Sequence, residues 1–206
     1  MAETTGLTQL LDDPHAAIDA IGSYLDRLDP VARGREAGAL GRARQRALYA
    51  KAAHARPIDL AHFVGTAAAR EEVIHDGVNT LPLPPALRRF QKRFCRPAHG
   101  GDARLFGYNE GPTRAVVGPG YFVAIPTADR PAWSAYGAVV VDYFQIPDGD
   151  VAPGWPPVVD NHWRLQRFVY EGTRDFMRRV SAHVSIGAAF KGDRPLDHYF
   201  VLCRQA

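Results

Sequence analysis

Residues 174–191 read RDFMRRVSAHVSIGAAFK, and the alternation in this stretch decides the fold. Phe176, Val180, Ala182, Val184, Ile186, Ala188 and Phe190 fall on alternate positions, with Arg179, Ser181, His183 and Ser185 between them. A period of two sends the two sets to opposite faces of a sheet. The expectation is a long strand with an apolar row against a core and a polar row, centred on His183, facing water or a lined pocket. Phe176, Val180 and Val184 are also four apart, so a helix over 173–183 competes for part of the stretch.

The chain around it reads the same way. Short extended runs at 104–108, 113–117, 121–126, 137–146, 165–171 and 197–204 alternate with turn chemistry: NEGP, Gly118-Pro119-Gly120 and KGDRP. The run GAVVVDYFQI is apolar on both faces, as suits a strand covered on both sides. Residues 147–164 are proline-rich without a period, which predicts a lid or binding loop. Upstream the periods are helical, at 8–28 (restarting at Pro14), 31–55, 57–75 and 84–95. The small residues of 98–102 form the expected junction. The fold class expected is therefore α+β, with a helical region over 1–100 and an antiparallel β region over 101–206, packed as one globular unit. Its sheet of about six to eight strands should be strongly curved or closed into a barrel.

Composition excludes more than it selects. At 206 residues, 46% hydrophobic and 23% charged, the chain can bury a core without staples. No apolar run reaches the roughly 18 residues of a spanning helix. Acids near the N-terminus stand where a secretory signal would be basic, which points to a cytoplasmic protein. Cys95 and Cys203 read as reduced thiols. There are 22 arginines against 3 lysines, yet the net charge is only +3, so nucleic acid and anionic membrane surfaces are disfavoured as partners.

Among chemistry-bearing residues, Asp142 is the one charge in an apolar run, and His183 sits amid Arg179, Ser181 and Ser185. Burial beside a partner would suit either residue to acid–base work; a structural Asp held by an amide or an arginine is the plainer alternative. Asn161, His162 and Trp163 end the long loop, and Tyr108, Asn109 and Glu110 could meet them from another; the first three and Tyr108 are candidate ligand contacts. Glu72 and His75 have the i, i+3 spacing of a di-iron helix but lack the second pair, and Asp148-Gly149-Asp150 lacks a calcium loop's remaining acids, so no metal site is expected. The basic residues of 88–93, read as a helix with Leu87, Phe90 and Phe94 inward, are its solvated face.

Three functions follow, with no cofactor indicated. The first is a binding protein that holds a small, partly apolar ligand between the sheet and its helical or loop cover, oriented by Asp142, His183 and Arg179. The second is a hydrolase or isomerase using Asp142 and His183 in that cavity. The third is a scaffold with a basic helical surface.

Overall fold

The computed structural model describes residues 6–99, 103–163 and 165–205. The end of the expected junction, 100–102, and the last residue of the expected loop, Arg164, lie outside them. Helix α1 (Leu7–Asp12) is followed, after Pro14, by α2 (Ile18–Arg27), whose Ile18, Ile21, Gly22 and Leu25 are buried on one stripe. The stretch 31–55 is two helices, α3 (Pro30–Gly38) and α4 (Arg42–Lys51). Asp29 caps α3 by accepting from Ala32 N at 2.9 Å, with Pro30 preset at its first turn.

The expected third helix is a single turn, α5 (Leu60–Val64), capped by Asp59 and ended by Gly65 at φ 53°. The sheet starts sooner than the sequence suggested. β1 (Val73–Asn79) and β2 (Arg89–Cys95) replace the helical readings of 57–75 and 84–95. After them come β3 (Leu105–Glu110), the short α6 (Arg114–Val117), β4 (Phe122–Pro126), α7 (Pro131–Ser134) and β5 (Val139–Asp142). The runs 113–117 and 165–171, expected as strands, are instead α6 and α8 (Gln166–Val169). β6 (Thr173–Arg179), β7 (Val184–Lys191) and β8 (Arg194–Arg204) complete the chain. Residues 174–191 are thus strand on both sides of a tight turn, and the helical alternative for 173–183 is not adopted.

Among the described residues, eight strands close in sequence order into an antiparallel barrel, with β1 pairing β8 through His75↔Arg204 to Asn79↔Phe200. Closure leaves no exposed edge. The α+β reading with a curved, closed sheet holds.

The apolar row of the opening stretch faces outward. Val180, Val184 and Ile186 lie under Ile18, Ile21, Leu25 and Leu48 of the N-terminal helices, while Phe176, Ala188 and Phe190 pack with Val140. Inside, three glycines each face a phenylalanine in register on the next strand: Gly77↔Phe90, Gly107↔Phe122 and Gly187↔Phe200. Each ring occupies the space where a Cβ would sit. No helix among the described residues is long and apolar enough to cross a membrane.

Candidate functional site

An eight-stranded barrel has room for its own side chains or for one small guest. This one divides the space. Toward α5 the interior is filled by Phe63, Phe94, Leu105, Phe122, Met177 and Leu202. Toward the other end the inward positions include the shorter Asn79, Thr173 and Ala189, and a cavity of about 400 Å³ opens there. Its walls are largely apolar, with Phe90, Phe200 and Tyr170 prominent.

The cavity's polar groups come from four places on the ring. In FQKRF, Phe90, Lys92 and Phe94 alternate with outward Arg89, Gln91 and Arg93, so the strand turns Lys92 inward. Register sets Asn109 beside it and Asp175 beside Val141, two residues before Tyr143. Lys92 Nζ donates to Asn109 Oδ1 at 3.0 Å and to the Tyr143 hydroxyl, and lies 3.1 Å from Asp175 Oδ2. Asn109 Nδ2 donates to Gly120 O and to the Tyr143 hydroxyl, both at 3.0 Å. The Tyr143 hydroxyl donates to Asp175 Oδ2 at 3.2 Å. All three ammonium hydrogens, both amide hydrogens and the whole capacity of the Tyr143 hydroxyl are thereby used. Four rings box the ammonium, with centroids 4.8 Å (Phe122), 4.9 Å (Tyr143 and Phe200) and 5.9 Å (Phe90) away.

Burial presses the Lys92 ammonium below its ordinary pKa and the Asp175 carboxyl above its own, and their contact opposes both shifts. Wherever the shared proton sits, the pair carries no net charge. Burial, with Asp175 nearby, also raises the phenols of Tyr143 and Tyr170. Tyr170 stacks on Tyr143 at 5.3 Å and 20°. Two cavity-lining groups stay open: among the described residues neither Asp175 Oδ1 nor the Tyr170 hydroxyl has a hydrogen-bond partner.

None of the nine candidate site residues lines this cavity, although Asn109 and Glu110, read as neighbours of Tyr108, do. Asp142 ends β5 on the outer face, paired with Arg174 at 3.3 Å and accepting from Phe144 N at 3.1 Å. His183 is in the β6–β7 turn, with Nδ1 3.4 Å from Arg204. Ser181 Oγ stabilises that turn by accepting from His183 N and Val184 N, each at 3.2 Å. Arg179 reaches Asp59 at 3.3 Å and His62 Nδ1 at 3.1 Å near α5. Ser185 points into the barrel interior, buried, with no partner for its hydroxyl.

The loop residues have similar roles. Asn161 pins the long loop through Tyr121 O at 2.7 Å and Tyr143 O at 2.9 Å. His162 and Trp163 are exposed on that loop, and Tyr108 packs outside the barrel against Trp155 at 4.9 Å. The loop covers the outer face of β2–β4, where Ala152 and Trp155 meet Cys95, Phe106 and Val123. The cavity is thus inside the barrel, whereas the sequence placed it between the sheet and its cover. The chain matches no protein-family model, no characterised protein and no solved structure.

Of the quartet of Lys92, Asn109, Tyr143 and Asp175, all but Asn109 were missed, although one signal was available. Lys92 is one of only 3 lysines in a chain with 22 arginines, and it stands at the centre of an alternating F-x-K-x-F.

Proposed function

We infer that this protein binds a small molecule with an apolar body and an uncharged polar head, held inside the barrel. The observation that carries this is the hydrogen-bond state at the cavity's polar end: the Lys92–Asp175 charges cancel and the ammonium's donors are spent, leaving one acceptor, Asp175 Oδ1, and one donor, the Tyr170 hydroxyl. A head that both donates and accepts, such as a hydroxyl or a primary amide, satisfies both. A carboxylate at this end would face Asp175 while the neighbouring Lys92 ammonium is already paired, and an ammonium would share a carboxylate already paired. A volume of about 400 Å³ fits a small ligand. An acid–base enzyme acting through Asp142 or His183 would need that residue at the cavity; both lie outside it, at the end of β5 and in a turn near α5.

The test is competition for a bound naphthylamine probe by decanol, decanoate and decylamine, which share one chain and differ in the head. Decanol should displace the probe at concentrations at least about tenfold lower than the other two. Equal displacement by decanoate would overturn the head-group assignment, and failure of the probe and all three to bind would overturn the binding reading.

A further inference from the structure

The collar around the cavity mouth is the strongest unexplained surface. Among the described residues nine large hydrophobics are exposed, and five of them belong to the segments that form this mouth: Leu87 (37%), Val116 (67%), Leu165 (45%), Phe168 (71%) and Val169 (42%). The mouth is built from 81–89, from α6 with its turn at 118–120, and from α8, with Leu83, Leu87, Val117 and Val169 lining the cavity itself. α8 is held to the 118–120 turn by Gln166, whose Oε1 accepts from Gly120 N at 2.8 Å. The three segments 81–89, 111–118 and 165–170 contain no acid and four arginines: Arg88, Arg89, Arg114 and Arg167.

Arg114 is paired with the bordering Glu110 at 2.7 Å, and Glu171 stands two residues after α8, so the collar's cations without an ion pair among the described residues are Arg88, Arg89 and Arg167. Arg89 makes no ion pair among the described residues, and Arg167 lies over the Phe168 ring at 4.9 Å, where it extends the same surface. The sequence had set anionic surfaces aside because 84–95 read as a helix showing its arginines to water. As a 3-10 turn followed by a strand, that segment instead sets Leu87 and Arg89 at the mouth.

We propose that this collar docks on the surface of a bilayer containing anionic lipid, which brings the open end of the barrel against the membrane. Phe168, Val169, Val116 and Leu87 enter the boundary between headgroups and acyl chains, and the arginines meet lipid phosphates, as in interfacial segments with one apolar and one cationic element. Charge complementarity selects this occupant: a water-facing patch has no use for exposed Phe168, and a purely apolar partner has none for Arg89 and Arg167, which make no ion pair among the described residues. The docking stands without the ligand assignment above, although an apolar guest entering from the bilayer would tie the two together.

The experiment is flotation of the full chain with phosphatidylcholine vesicles, with and without phosphatidylglycerol, at low and high salt, alongside sedimentation velocity without lipid. Wild type should float only with the anionic vesicles and lose binding at high salt. F168S/V116S should weaken it at least tenfold, and R89Q and R167Q about fivefold each. Both apolar positions are largely exposed, so the fold is retained, as circular dichroism would confirm. Absence of flotation, or flotation indifferent to all these substitutions, overturns the proposal. So does a lipid-free dimer that F168S/V116S dissociates, because the collar would then be a contact between copies. Probe displacement in the cavity is a separate readout, so failure of docking and failure of the ligand reading remain distinguishable.

Discussion

Lys92 and Asp175 meet across the barrel at 3.1 Å from strands four places apart in a ring of eight, with side chains 2% and 8% exposed. Removing one partner of a buried pair strands the other, whereas removing both relieves the desolvation. Lys92→Met should therefore lower the unfolding free energy by about 3 kcal/mol, and Lys92→Met/Asp175→Asn by clearly less. In the single variant Asp175 loses the ammonium that lowers its pKa and keeps the burial that raises it, opposed only by the Tyr143 hydrogen bond. A carboxyl raised in the folded state contributes stability below its unfolded pKa and loses it as pH rises through the folded one. The deficit of Lys92→Met should therefore grow from pH 5 to pH 8. Urea titrations at the two pH values check both points; equal costs for the single and double variants would mean the pair does not hold the strands together.

The interior glycines give a second, geometric prediction. A Cβ on Gly187 would lie 2.2 Å from the Phe200 ring and have its three nearest atoms in that ring, whereas one on Gly107 would meet both the Phe122 ring at 2.3 Å and the backbone oxygen of Arg93 at 2.5 Å. Each alanine should cost about 1–3 kcal/mol. Phe200→Leu should recover part of the loss in Gly187→Ala. Phe122→Leu should recover little in Gly107→Ala, because a carbonyl in a ladder cannot step aside. Thermal melts of the four variants would show whether the recoveries differ.

The closed, antiparallel architecture was legible because period two survives in most strands and the turn residues stand between them. It failed where two periods coincide. Phe90 and Phe94 are four apart, which fits a helix stripe as well as alternate strand positions, and Leu87 extended the helical reading; only pairing with β1 and β3 decides for the strand. The site was lost for the same reason, since a Lys92 on a helix faces solvent. Asp142 and Asp175 are both acids on buried strand positions, and the sequence cannot tell which faces inward. That depends on register: Val139, Val141 and Tyr143 point into the barrel and leave Asp142 outside.

His75 gives the pH dependence. It is fully buried, its Nε2 donates to Phe63 O at 2.8 Å, and its Nδ1 has no partner, so the ring is held neutral and burial lowers its pKa to about 4. A histidine lowered in the folded state contributes stability above its unfolded pKa of 6.5 and loses it as pH falls toward the folded one. Between pH 7 and pH 4.5 this group alone should remove about 2 kcal/mol. His75→Phe keeps a ring among Phe63 and Phe94 but cannot charge, so it should flatten that part of the acid limb. Urea midpoints at several pH values would show it, and an unchanged slope would assign the acid sensitivity elsewhere.

Tyr170 bears on the cavity's polar end most directly because its hydroxyl is the open donor there, while its ring is fixed by stacking on Tyr143 at 5.3 Å. Tyr170→Phe keeps the stack and the cavity's shape and removes only the donor. Decanol affinity should fall about threefold to tenfold, the range of one neutral hydrogen bond, with little change in stability, because the hydroxyl bonds no protein group. Asp175→Asn alters the paired group as well, so its loss of affinity should come with a loss of stability. A Tyr170→Phe protein that binds decanol undiminished would place the ligand's head elsewhere, toward Asn79 and His198 higher in the cavity.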